Sequence, residues 1–432
     1  MLETIGVESI DDLFVEIPEH LKLKGELDIP SALDEYALTK YMRKLAAKNK
    51  NLADHLICFA GAGIYDRFIP QSVGAIISRG EFLTAYTPYQ PEFSQGYLQT
   101  IYEFQTMIAD IYNMDVANAS MYDGATSVAE AALIACAIKD KDRVAYSEGL
   151  HPHYRQVLET YCWSSGVELV RVPLNEGRTF DYSSLDDSIS CILVQTPNFF
   201  GVIEDMAAMR EACDRTGAMM IVNADPVAMA LINPPGAFGA DFVTGEAQPV
   251  GIPMGLGGPV CGLFASKSEF VRRIPGRIVG KTVDHEGTEG FVMTLRTREQ
   301  DIRREKATSN ICTNEALMAL AATVYLSAMG KNGLKSVAES SVRNAQYALA
   351  RLEEAGAKRK FASPFFCEFV VELPVDADLA HEKLAERGFL AGVPLGKYFP
   401  NMHNCLLLAF TELRTREEID QFANAVAEVA RS

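Results

Sequence analysis

The sequence lacks any apolar run long enough to span a bilayer, which argues against a helical membrane span. It also lacks a basic run able to track phosphates. Its 40 Lys and Arg stand against 57 Asp and Glu, a net charge of −17, so neither nucleic acid nor an anionic membrane is an expected partner. It has no CxxC pair. The nine cysteines (Cys58, Cys136, Cys162, Cys191, Cys213, Cys261, Cys312, Cys367 and Cys405) are odd in number and widely scattered. That pattern argues against a disulfide framework and against a zinc site, so no metal is expected. Most of them fall in apolar runs, as small core residues do. The amino terminus, MLETIGVESIDDLF, has no basic n-region and no apolar h-region, so no signal peptide is visible and the cytoplasm is the expected compartment. There is no internal repeat and no low-complexity stretch.

What is present fits a folded chain of more than one domain. There are 432 residues, 48% hydrophobic and 22% charged. Residues 1–56 read as an arm with helices: a short helix over Glu8–Phe14 with Ser9 as its cap, then a helix opened by Pro30 and Ser31 and running to about Ala47. Such an arm buries itself either on a partner subunit or on its own chain. Residues 57–325 form the expected large domain, and residues 326–432 a bridging helix with a small α+β domain. Strands are expected at Val144–Tyr146, Glu168–Val172, Cys191–Gln195, Met219–Asn223, Phe242–Thr244 and Gly262–Ala265. Helices are expected at Tyr97–Tyr112 and Met206–Thr216, in a long stretch from Asn314 to Ala355 broken near Gly330 and Gly333, and at Ala377–Glu386 and Arg416–Val429. Strands alternating with helices predict an α/β fold with a mostly parallel sheet.

Several stretches carry polar groups where such a fold puts its chemistry. Residues 57–97 are dense in aromatics, glycine and proline, with Tyr65, Tyr86, Thr87, Tyr89, Gln90 and Gln95 as hydrogen-bonding groups. They read either as a functional loop or as a well-packed structural one. Gly124, Ala125, Thr126 and Ser127 open a helix, with Thr126 or Ser127 as cap. That terminus is either a phosphate cradle or an ordinary capped helix. Strand ends carry His151, His153, Gln195 to Asn198, and Asn223 to Asp225. Arg296, Arg298, Arg303 and Arg304 read by default as partners for surface acids. The organising stretch is Asp241–Gly262, a strand, a Gly/Pro-rich loop and a second apolar run. Its turn reads Glu246-Ala247-Gln248-Pro249 and contains no lysine.

Seven strings carry a resemblance. They are FAGAGIYDRFIP (Phe59–Pro70), EFLTAYTPYQPEFSQG (Glu81–Gly96), EFQTMIADIYNMDVANASMYDGATSVAEA (Glu103–Ala131), QTPNFFGVIED (Gln195–Asp205), PGRIVGKTVD (Pro275–Asp284), REKATSNICTN (Arg304–Asn314) and TELRT (Thr411–Thr415). End to end, the chain resembles the amino-terminal (α) subunit of the split glycine decarboxylase, the P-protein of the glycine cleavage system. The resemblance implies a pyridoxal phosphate (PLP)-dependent transferase fold of type I, with a large, mostly parallel seven-stranded sheet and a small carboxyl-terminal α+β domain. It implies an enzyme, glycine dehydrogenase (aminomethyl-transferring, decarboxylating). That enzyme binds the amino group of glycine through PLP, releases CO2 and passes the aminomethyl group to the lipoyl arm of the H-protein.

In that fold the PLP lysine lies between two late strands, and here Gln248 stands at its expected position. An amide nitrogen, delocalised into its carbonyl, forms no imine. The resemblance therefore implies that PLP is carried by a partner β subunit, in an α2β2 assembly. Functional links follow to the H-protein, to aminomethyltransferase (T-protein) and to dihydrolipoyl dehydrogenase (L-protein). Lys281 and Lys306 are the other lysines of interest, and neither lies between the late strands. Asp225 falls near the place of the ring-nitrogen carboxylate and reads more readily as a relic or structural acid. Shared-site geometry makes Tyr86, Thr87, Tyr89, Gln90, Thr308, Ser309 and Asn310 candidates to reach the partner's cofactor, and makes Gly124–Ser127 a vestigial phosphate cradle. Two other readings stay open: a self-sufficient PLP-dependent decarboxylase or aminotransferase, and a non-catalytic scaffold subunit.

Overall fold

The computed structural model describes residues 1–52, 54–255 and 257–431. The chain divides into two compact units, Met1–Asp54 and His55–Ser432. In the first, helix α1 spans Glu35–Ala46, with Asp34 capping it through the N–H of Ala37 at 2.7 Å. The helix starts later than Pro30 and Ser31 predict, because the Asp34 carboxylate satisfies an orphan donor of the first turn. The segment expected as a helix over Glu8–Phe14 forms only a 3-10 turn, Asp11–Phe14. Its start is held by the Asp12 carboxylate, which accepts from the N–H groups of Glu8 and Ser9. No helical residue of this unit is buried.

The second unit opens its main fold with α2 (Gln95–Tyr112), whose buried side chains include Leu98, Ile101, Phe104, Ile108 and Tyr112 at helical spacing. Gln105 is buried among them because both ends of its amide are used on Val279, each at 2.9 Å. The large sheet comprises β1 (Val116–Ala117), β2 (Arg143–Ser147), β3 (Glu168–Val172), β4 (Cys191–Thr196), β5 (Met219–Ala224), β6 (Phe242–Glu246) and β7 (Gly262–Ser266). Its seven strands run in the order β1-β7-β6-β5-β4-β2-β3. Strands β2 to β6 pair in parallel, and β7 runs antiparallel to both β6 and β1. Helices α3 (Gly124–Lys139), α4 (Pro152–Ser165) and α5 (Met206–Thr216) connect or flank these strands. Cover on both faces explains why all six residues of β5 are buried and apolar save Asn223.

A hairpin follows, β8 (Ile278–Val283) and β9 (Glu289–Thr294), in the stretch that the sequence marks only by its basic residues. Helix α6 (Ala316–Glu354) then bridges to the small sheet, and Gly330, with φ 59° and ψ −176°, breaks its helical path. The small sheet holds β10 (Lys358–Arg359), β11 (Glu368–Glu372), β12 (Val393–Pro394) and β13 (Cys405–Ala409) in the antiparallel order β10-β11-β13-β12. Helices α7 (Ala377–Glu386) and α8 (Arg416–Arg431) pack beside it.

The Phe59–Pro70 segment straps the large and small sheets together. Phe59 stacks on Phe422 with ring centroids 4.2 Å apart, and its carbonyl accepts from the N–H of Ala409 at 2.9 Å. Farther along, buried Arg67 meets Glu412 at 2.7 Å, the N–H of Phe68 meets the same carboxylate at 2.8 Å, and Asp66 meets Arg414 at 3.0 Å. Glu412→Ala would leave the Arg67 guanidinium buried without its counter-charge. The expected cost is about 3–5 kcal/mol in urea unfolding. A loss below about 1 kcal/mol would mean that the strap does not hold the two sheets together.

Candidate functional site

The strand order reverses between β2 and β4, so a cleft opens at the carboxyl ends of the parallel strands. Gln195 at the end of β4, Pro197 just after it, and Asn223 to Asp225 at β5 lie there as the strand ends predict, joined by Glu246 at the end of β6 and Pro249 beyond it. Tyr154 closes one side, and Gly63, Tyr65, Cys367 and Glu368 close the other. None of the lining residues is a lysine. The cavity measures about 40 Å³, enough for a few water molecules and far below the roughly 300–1,000 Å³ of ordinary ligand sites.

Two side chains, one at the end of β6 and one in the turn after it, account for that closure. Gln248 is buried, and its amide is fully engaged. Its oxygen accepts from the N–H of Tyr65 at 2.8 Å, and its nitrogen donates to the carbonyls of Tyr65 at 2.9 Å and Ile252 at 3.0 Å. Glu246 turns toward the amino terminus of α3. Its carboxylate accepts from the N–H groups of Gly124 at 3.1 Å, Gln248 at 3.2 Å and Cys261 at 2.8 Å. Burial pushes this carboxyl up to about 7, against the pull of those donors.

The cap of α3 is Asp123, not Thr126 or Ser127. Its side chain accepts from the N–H of Thr126 at 2.7 Å, so the helix begins at Gly124. Gly124 is required by close approach, since a Cβ there would lie 2.4 Å from the Tyr154 hydroxyl. The N–H groups of Gly124, Thr126 and Ser127 therefore all point to acceptors of this chain: Glu246, the Asp123 carboxylate and the Asp123 carbonyl.

His151 sits beside the cleft as a neutral ring. Its Nδ1 accepts from the N–H of His153 at 3.1 Å, which leaves Nε2–H to donate to the Ala62 carbonyl at 2.9 Å. Burial lowers its pKa to about 4. Asp225 uses one oxygen to accept from the N–H groups of Val227 at 2.7 Å and Ala228 at 3.0 Å, the work of a turn cap. Glu368, from β11, accepts from the Tyr65 hydroxyl at 2.9 Å and from the N–H of Ala62, and burial raises it to about 7. Asn198, also singled out by the sequence, ties its own turn through Glu204 and Gly177, each at 2.7 Å.

The model for the glycine cleavage system P-protein matches residues 1–426. The chain belongs to the P-protein family. It is 50% identical to the probable glycine dehydrogenase (decarboxylating) subunit 1 of Anoxybacillus flavithermus, over 97% of this chain and 94% of that protein. The protein of the same name from Geobacillus kaustophilus is 48% identical over 99% and 96% of the two chains. A crystal structure of glycine decarboxylase (P-protein) of the glycine cleavage system, in inhibitor-bound form, superposes with a TM-score of 0.93 at 44% identity, covering 99% of this chain and 97% of that one. The fold is type I of the PLP-dependent enzymes. A sphingosine-1-phosphate lyase from Burkholderia pseudomallei shares it at a TM-score of 0.69 and 14% identity, over 96% of this chain and 94% of that one.

Within this P-protein chain the cleft does not fit PLP. The cavity is too small, none of its lining residues is a lysine, Gln248 beside it is a tied amide, and the amino terminus of α3 already holds a carboxylate. Lys281 pairs with Glu289 at 2.7 Å on the β8–β9 hairpin, and Lys306 lies in an exposed turn. The other sequence candidates fall outside the cleft. Tyr86 is 91% exposed, and Gln90 is exposed beside half-buried Thr87. The Tyr89 hydroxyl accepts from Arg277 at 2.9 Å, and its ring lies 5.2 Å from the Arg296 guanidinium. Arg296 also pairs with Asp301 at 3.4 Å, whereas Arg298 bonds backbone carbonyls, Gly276 among them at 2.8 Å, rather than surface acids. Thr308, Ser309 and Asn310 line a second, open groove of about 400 Å³ with Glu130, Tyr161 and Trp163.

Sequence reasoning missed Glu246, Glu368 and Tyr154. One signal pointed to the first: an acid ending an otherwise apolar strand must find donors nearby. Among the described residues, no group of three or more His, Cys, Asp and Glu is placed to hold a metal, and no helix is long and apolar enough to cross a membrane.

The raised carboxyls predict a pH dependence. For Glu368 the stabilising form is the protonated one, so its contribution is complete below about 4.5 and is lost as pH rises through about 7. Tyr65, Asp225 and Arg67 face it. Glu368→Gln keeps an acceptor and removes the titration. Relative to the parent, the variant is expected to gain about 1–3 kcal/mol between pH 5 and pH 8 in urea unfolding. Parallel stability curves would show that Glu368 does not titrate in this range.

Proposed function

We propose that this chain is the α subunit of a two-component glycine decarboxylase, the half that completes the enzyme without carrying its cofactor. The observation that supports this most directly is the Gln248 amide, tied at both ends in a turn after β6 that contains no lysine. PLP resides in the β subunit, where it supplies the electron sink that lets glycine lose CO2. The aminomethyl group then goes to the lipoyl arm of the H-protein.

This chain's part is to build the interface and to finish the partner's site. Tyr86–Gln90 and Thr308–Asn310 suit that part because they present hydroxyls and amides at or near the surface on irregular backbone. The cations around Tyr89 fix its ring, so its hydroxyl is held for a partner rather than left to rotate freely. The arm supports an interface as well. Tyr36, Leu38, Tyr41 and Met42 of α1 are all exposed apolar side chains. An α2β2 assembly gives each cofactor one such set of neighbours.

The test is the visible spectrum of the purified chain with PLP, alone and with the β subunit, followed by borohydride trapping and peptide mapping. A trapped lysine in the β subunit and none in this chain is the expected result. A trapped lysine here would replace the proposal with a self-sufficient PLP enzyme. In the assembled enzyme, Tyr89→Phe and Asn310→Ala are each expected to lower glycine–CO2 exchange about 10–100-fold, the loss of one hydrogen bond to a charged group. Unchanged exchange and PLP affinity in both would reduce this chain to a scaffold.

A further inference from the structure

The amino terminus of α3 is an anion site filled by the protein itself. Three backbone N–H groups from three separate places in the sequence, Gly124, Gln248 and Cys261, converge on one carboxylate, that of Glu246. Such convergence is how backbone dipoles hold a phosphate. The surrounding wall leaves little space for a second anion. Tyr154 abuts Gly124, and the cavity beyond is about 40 Å³. Gln248 closes the other side by holding Tyr65 at both its N–H and its carbonyl. Tyr65 in turn holds Glu368 of the small sheet at 2.9 Å. To admit a phosphate-bearing ring, the chain would have to withdraw Glu246 and break the strap at once.

We infer that the cleft of this chain is plugged from within, with the Glu246 carboxylate standing in for a ligand phosphate and the Gln248 amide locking the Phe59–Pro70 strap over it. The inference rests on the reading of this chain as the subunit without the cofactor, and it deepens that reading. The loss of the lysine is then one part of a replacement: the site is rebuilt as a structural joint that needs no ligand. Two consequences follow. The parent chain binds neither phosphate nor PLP at α3, and taking the plug away creates an anion hole able to accept a small anion from solution.

The experiment uses the full chain and two variants. Glu246→Ala leaves the three N–H groups without an acceptor. Its melting temperature is expected to fall below the parent's and to recover with rising sodium formate or inorganic phosphate, but not with sodium chloride at equal ionic strength. The parent is expected to respond equally to all three salts. A parent that responds specifically to phosphate, or a folded Glu246→Ala that responds to no anion, would overturn the inference.

Gln248→Lys keeps Glu246 in place, and its readout does not depend on the first variant folding. With PLP and borohydride it is expected to give no adduct at position 248. An adduct mapped there would show that the cleft admits the cofactor with its plug in place, and would also overturn the inference. An adduct on another lysine of the parent chain is a separate result, one that removes the subunit reading itself.

Discussion

A carboxylate that receives three backbone N–H groups holds the centre of this molecule. Glu246 ends β6, its donors belong to α3 and to the turns that flank it, and so it fixes the strand ends against the helix that covers them. The neighbouring Gln248 extends the same constraint to Tyr65, and Tyr65 extends it to Glu368 on the small sheet. The two sheets are thus joined by a path of hydrogen bonds through the cleft at the strand ends. Arg67 and Glu412 add an ion pair to the same strap, with little exposure to water on either side.

Such a path has an electrostatic cost. Burial drives Glu246 and Glu368 up to about 7, so near neutrality each carries a proton part of the time. Donors that would favour the charged form only partly offset desolvation. A cleft built this way leaves room for a few water molecules and little else. It also explains why His151, beside it, stays neutral, with its one N–H committed to a backbone carbonyl.

Local pattern carried much of the fold. Met206–Thr216, Glu168–Val172 and Ala377–Glu386 form over the very residues that their periodicity and flanking turn residues mark. The break of α6 at Gly330 follows from a residue that tolerates positive φ. Helix starts were less legible. Asp34 and Asp123 both cap where the sequence offered other hydroxyl or proline signals, because several residues in each stretch are able to cap and only the backbone path selects one. The β8–β9 hairpin was not legible because, apart from the adjacent buried pair Ile278 and Val279, its residues are half-buried or exposed, so no apolar alternation marks it.

The sequence by itself determined the strand and helix pattern, the order of the large and small sheets, and the absence of a lysine after β6. Those depend on residue type and on spacing along the chain. Tertiary structure alone decided what the residues of that turn do. Gln248 meets Tyr65 across 183 positions and Glu246 meets Gly124 across 122, so no local window contains both partners. A glutamine in a loop is free to face solvent or to fill a cleft. Here the sheet, the helix terminus and the strap converge on one small volume, and the donors and acceptors in it have each other as partners.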